Sequence, residues 1–225
     1  MNGDHRDARM ILALAAEVDD RFIWDRIRMA QTEMFATGPV AVKFAYFGAE
    51  GALPSRPYIA TRWVTDADDM ADIMERGRAR CVCGCYVRVS DILEQALQEA
   101  RQKPVQAVVI IGDHFHDDLD EAVAAAKQLR AAGIRLFLFQ QGCSEHTEHA
   151  FKILAEVTGG AYFPFNPHIE RVAERLPGML EAITHFVIGG MAALEARDNE
   201  SAVLLLEQMN AAAQIAKGAP QRDEA

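Results

Sequence analysis

Asp113 follows the apolar run Val108-Val109-Ile110-Ile111, where a buried parallel strand would end, and a helical pattern resumes from Leu119. In an open α/β sheet, ligands gather beyond the carboxyl ends of the strands, so an acid at that point is a candidate ligand. It competes with a plainer role, because helix N-caps also favour Asp at such turns. The stretch Asp113-His114-Phe115-His116-Asp117-Asp118 sets two imidazoles beside several carboxylates, and His146 and His149 stand one helical turn apart. Such a pair can chelate zinc, or the residues simply form a polar loop and helix start at an open edge. Cys81-Val82-Cys83-Gly84-Cys85 is the most unusual text in the chain. Extended, the three thiols project to one side; looped, they converge on a soft metal. Arg76, Arg78, Arg80 and Arg88 nearby favour thiolate, which allows a redox or soft-metal sensor. The spacing is not a paired Cys-x-x-Cys, a fourth ligand has to come from Cys143 or a distant His, and the alternative is three small half-buried residues.

Catalysis has no visible machinery. There is no Gly-x-Ser-x-Gly elbow, no Gly-x-x-x-x-Gly-Lys phosphate loop and no Gly-x-Gly-x-x-Gly after the first strand, so the chain is expected not to be an enzyme. A phosphoacceptor receiver wants paired acids after the first strand, which Asp19-Asp20 can mimic, and a Lys after the fifth, where Gln140-Gln141-Gly142-Cys143 stands instead. The formal charge of -10, from 23 Lys and Arg against 33 Asp and Glu, repels phosphate backbones and anionic membranes. A cationic partner or a metal suits it better. The N-terminus lacks the pattern of a signal peptide, and the apolar region from Ile183 to Leu194 is too short to span a bilayer. The chain therefore reads as cytoplasmic, with four reduced cysteines.

The elements that must position these residues alternate. Met10 to Ala16 reads as a buried strand, and Ile23, Ile27, Ala30 and Met34 recur at helical spacing until Thr37-Gly38-Pro39. Val40 to Phe47 and Tyr58 to Trp63 form two strands around a segment rich in Gly and Pro, close enough for an antiparallel pair. Thr65-Asp66 caps a helix to about Met74, and Ser90-Asp91 caps one through Leu97. Then come the strand Ala107 to Ile111, a helix stopped by Gly133, the strand Ile134 to Phe139, a helix from Glu145 closed at Thr158-Gly159-Gly160, and the strand Ala161 to Phe165. This order predicts an α/β fold: a doubly wound, mostly parallel sheet with one antiparallel strand, helices on both faces and a C-terminal helical extension. Val203, Leu204, Leu205, Leu206 and Met209 on the last helix need a surface of their own, within the chain or in a homodimer or partner contact.

The element order, together with Trp63-Val64-Thr65-Asp66, Val108 to Asp113, and Gly133 to Leu138 leading to Thr158-Gly159-Gly160-Ala161-Tyr162-Phe163, resembles the von Willebrand factor A-like domain. On that resemblance residues 8–190 are the domain, 191–217 its helical extension and 218–225 a frayed tail. The family's function usually sits in a metal-ion-dependent adhesion site made of Asp-x-Ser-x-Ser after the first strand, a Thr in a mid-chain loop and an Asp after the fourth strand. Its oxygen ligands suit magnesium or another divalent cation. Asp113 matches the last of these and Ser90 stands in for the Thr. The first motif is absent: with Ala15 in the leading position Glu17 and Asp19 fall on the serines, a rearranged acidic site, and with Ala16 there Val18 and Asp20 do, a largely dead one. The resemblance implies a degenerate site and a protein-protein interaction module. Bacterial relatives often accompany ATPases or act in multi-protein assemblies, so a scaffold or adaptor is implied.

Overall fold

The computed structural model describes residues 8–15, 21–47, 58–80, 88–165 and 175–218. Strands β1 (Ala8–Ala15), β2 (Val40–Phe47), β3 (Tyr58–Val64), β4 (Ala107–Gly112), β5 (Arg135–Gln141) and β6 (Ala161–Phe165) form one sheet in the order β3-β2-β1-β4-β5-β6. All neighbours pair in parallel except β2 and β3, which are antiparallel. Helices α1 (Arg21–Thr37), α2 (Ala67–Arg80), α3 (Val89–Ala100), α4 (Leu119–Ala131), α5 (Glu145–Thr158), α6 (Arg175–Glu195) and α7 (Glu200–Gly218) cover it. The expected fold class is the one observed.

The apolar runs of β1 and β4 are continuous because both faces of the sheet are covered. Met10, Leu12 and Leu14 point to a core shared with α1, α2, α6 and α7, whereas Ile11 and Ala13 point to one shared with α3, α4 and α5. Helix α6 is long and apolar enough by composition to cross a membrane, longer than the apolar stretch read from the sequence. Its apolarity here serves packing: Leu180, Ile183 and Val187 are buried in the first core, against α1 and β1. The backbone leaves helical geometry at Gly190, so α6 is kinked there.

The two edges of the sheet are blunted differently. At β6, α7 packs against the strand, and Pro164 removes a donor. Ala202, Leu205 and Met209 of α7 are thereby buried, and among its described residues Val203 is the large apolar side chain left exposed. At β3 the register shifts opposite Phe44, where the Thr61 hydroxyl accepts the Phe44 N–H at 3.0 Å, and a bulge of this kind twists an edge away from further pairing.

Turn chemistry follows the sequence closely. Gly159 takes the left-handed conformation, and the Gly160 and Gly159 N–H groups return to the Ala155 and Glu156 carbonyls at 2.9 and 3.0 Å. A Cβ on Gly160 would lie 1.8 Å from the Leu136 carbonyl oxygen, so the second glycine is required by the close approach of β5. Asp66 accepts the Asp69 N–H at 2.8 Å, as its reading as a cap predicts, but α2 runs on to Arg80 because Ile73 and Met74 continue its buried face.

At the amino end of the sheet three ionic side chains are nearly buried. Glu99 of α3 pairs with Arg9 at 3.1 Å and Lys43 at 2.8 Å, with side-chain exposures of 12, 7 and 12% respectively. It also accepts from Trp63 Nε1 at 2.9 Å and Gln95 Nε2 at 2.9 Å, while the Arg9 guanidinium lies 3.8 Å from the Trp63 ring centroid. Burial pushes the Glu99 carboxyl up, but hydrogen bonds from Lys43 and Trp63 and the charges of Lys43 and Arg9 outweigh it and hold it below the usual carboxylate range.

Candidate functional site

Parallel pairing fixes which strand ends meet. Ala15 of β1 is in register with Gly112 of β4, and Gly112 with Gln140 of β5, so Asp113 emerges at the carboxyl rim beside the end of β1. Its side chain is 18% exposed, and its carboxylate receives His114 Nδ1 at 2.9 Å. The Asp113 carbonyl accepts the hydroxyl of Thr147 at 3.4 Å, which ties this loop to the first turn of α5. Asp113 is therefore held by its backbone and leaves part of its carboxylate open.

Asp117, four residues on, is the opposite case. Its side chain is only 2% exposed and faces the start of α3. There it accepts the Val89 N–H at 2.7 Å, the Ser90 N–H at 3.3 Å and the Ser90 hydroxyl, with Arg88 Nε 3.9 Å away. These are N–H groups that a helix start leaves without intrahelical partners, and a carboxylate there also suits the helix dipole. The expected cap by Ser90-Asp91 is thus corrected: Arg88 occupies the cap position without a side-chain bond, Ser90 lies inside the helix, and the cap arrives from 27 residues away. The neighbouring Asp118 has the local role instead, capping α4 by accepting the Glu121 N–H at 3.0 Å. Asp118→Ala is expected to cost about 1 kcal/mol, a fall in melting temperature of about 3 °C by calorimetry.

The imidazoles do not gather on a metal. His114 and His116 stack with ring centroids 5.5 Å apart, and His146 packs against Phe115 at 5.9 Å. Among the described residues no group of three or more His, Cys, Asp or Glu side chains is arranged to hold an ion. Of the candidate oxygen ligands for a hard divalent cation, Ser90 gives its hydroxyl proton to Asp117, and Asp113 brings one carboxylate to the rim. Glu17 and Asp19, the other two candidate ligands, lie outside the described residues, as do Cys81, Cys83 and Cys85. Cys143, after β5, is an exposed free thiol.

Behind the rim, polar groups brace β5 and β6. Gln140 donates to the Ser144 carbonyl at 2.8 Å and accepts the Tyr162 hydroxyl at 2.7 Å. Burial, with the Glu148 charge, pushes the Tyr162 phenol up to about 12, so it stays a donor. Asp117 and Gln140 were not legible as site residues: one reads as part of an acidic run, the other as a strand end.

The sheet order, its single antiparallel edge strand and the helices on both faces define a von Willebrand factor A-like fold. The chain is similar in structure to the SpRpn10 VWA domain, with a TM-score of 0.55 and 12% identity over 75% of this chain and 92% of that one. A von Willebrand factor type A structure from Catenulispora acidiphila gives 0.57 and 11% over 82% of this chain, and the human COPII-coat protein Sec24c gives 0.53 and 10% over 82%. The chain spans 43% and 33% of those two, respectively. Manganese-loaded Plasmodium vivax TRAP protein gives 0.50 and 11%, covering 77% of this chain and 73% of that one. No protein-family model matches the chain, and no curated protein is similar to it in sequence.

Proposed function

We propose that this chain is a non-catalytic protein-interaction module, an adaptor that docks another protein, such as an ATPase or a member of a larger assembly, at the carboxyl rim around Asp113. The observation that carries the reading is the contrast between two acids of one loop. Asp117 is buried and fully engaged in holding α3, whereas Asp113 stands at the strand end with part of its carboxylate open and one imidazole as its partner among the described residues. A group of that kind is available to a cationic side chain or to backbone N–H donors of a partner. The similarity to a coat protein and to a VWA domain supports an interaction role, and the net charge of -10 favours a partner that presents Lys or Arg. The proposed setting is the cytoplasm.

A metal-assisted version rests on the manganese-loaded neighbour and on Glu17 and Asp19 joining Asp113. One experiment separates the two. Affinity capture with wild type and Asp113→Ala, each with and without chelator, is expected to show partner recovery that survives chelation and falls at least about tenfold in the variant. Recovery abolished by chelator, together with a magnesium- or manganese-dependent melting shift that Asp113→Ala removes, selects the metal-assisted version. Equal recovery by wild type and variant rejects both. The thiol-sensor alternative at Cys81, Cys83 and Cys85 predicts fast alkylation or bound soft metal in purified protein, and ordinary alkylation rates without metal remove it.

A further inference from the structure

We infer that the cleft between α1 and α2 is a binding site for a small zwitterion, a free α-amino acid or a short peptide with both termini charged. The cleft has a volume of about 400 Å³ and is independent of the docking rim proposed above. Helix α1 descends from the carboxyl rim after β1, and α2 ascends toward it after the antiparallel β3, so the two helices run antiparallel across the cleft. Asp25 on α1 and Arg78 on α2 close the first rung between them, at 3.3 Å. Three residues along each helix, and therefore one turn further from the carboxyl rim, stand Arg28 and Glu75, which both line the cleft. These two are of opposite charge and line the same gap, yet among the described residues neither side chain has an ion-pair or hydrogen-bond partner. The second rung of the ladder is open.

The floor between them is apolar. Trp24 and Met74 are 4 and 3% exposed, and Trp24 is fixed edge-on against Phe44 and Tyr46 with centroids 5.6 and 6.2 Å apart. Gly77 lets α2 sit close to this cluster, since a Cβ there would lie 3.1 Å from Tyr46. A guanidinium on one wall, a carboxylate on the other and an aromatic floor complement a molecule that carries a carboxylate and an ammonium on an apolar body. The volume lies in the range of small-molecule sites. A ligand of single charge gains one of the two ion pairs and a dipolar molecule gains both, so dipolar molecules are modestly favoured.

The test is titration of the full chain with L-leucine and with leucyl-leucine, followed by the Trp24 indole N–H resonance. Saturable shifts are expected with one or both, and comparison of the two separates an amino-acid site from a short-peptide site. Blocking the amine by acetylation or the carboxylate by amidation should each weaken binding about fivefold, in line with exposed ion pairs. Arg28→Ala should erase the penalty of amidation alone, and Glu75→Gln that of acetylation alone. Both side chains are exposed, and an unchanged melting temperature in each variant separates loss of binding from loss of fold. The inference is overturned if neither zwitterion gives a saturable shift at about 10 mM, or if the blocked and free forms bind alike.

Discussion

Asp117→Ala is expected to lower the melting temperature by about 5–10 °C, through a loss of about 2–3 kcal/mol. The variant removes a carboxylate that accepts the Val89 N–H, the Ser90 N–H and the Ser90 hydroxyl, and strands these donors at a nearly closed position. Hydrogen bonds to an ionised group exceed those between neutral partners, and unmatched buried donors retain their desolvation penalty. Arg88 contributes little, because its side chain is 57% exposed and its nitrogen is 3.9 Å away. Asp117→Asn keeps an acceptor without the charge and should lose roughly half as much. Calorimetry beside Asp118→Ala is the natural comparison, since that neighbouring acid caps α4 from an exposed position. If both alanine variants melt within about 1 °C of each other, the long-range cap contributes nothing special.

Glu99→Gln should have an effect as large, about 3 kcal/mol, with a signature in pH as well as in magnitude. Removing the anion takes from Arg9 and Lys43, with exposures of 7 and 12%, the carboxylate they share, and leaves two like charges beside one another. The Glu99 carboxyl titrates below its ordinary value of 4.5 in the folded chain. A group depressed on folding stabilises the protein fully above its unfolded value and loses that contribution as pH falls through the folded one. The wild-type advantage over Glu99→Gln should therefore be constant from pH 7 down to about 5 and narrow progressively below about 4.5. Melting curves between pH 3 and 7 read this directly, and a gap that does not change with pH would assign the loss to packing alone.

Much of the sheet was legible because its signal is local. Short apolar runs such as Val108 to Ile111 can be buried on both faces only in a covered parallel sheet, and the observed strand order follows from helical segments between them. The glycine pair at 159 and 160 announced its helix end for the same reason. What failed was long-range. Ser90-Asp91 has the composition of a cap, yet the helix starts earlier, at Val89, its first N–H groups are taken by Asp117, and no spacing rule links position 90 to 117. Arg9 precedes the strand read from Met10 but lies in β1 at 6% exposure, where Glu99 and the Trp63 ring receive its guanidinium. The rim position of Asp113 was legible, because it follows from a strand end. His114 and His116 read in sequence as two imidazoles beside several carboxylates, open to a metal or to a plain polar loop, and their rings stack on each other.

The central claim is that the carboxyl rim of this sheet is where another protein sits. Hydrogen exchange of the chain alone and in complex with the partner recovered by capture measures that most directly. The expected result is slowed exchange across residues 113–118 and 88–91, with the Arg9, Lys43 and Trp63 end of the sheet unchanged. Protection confined to that far end, or to α7, with the segment after β4 exchanging as freely as before, would contradict the account.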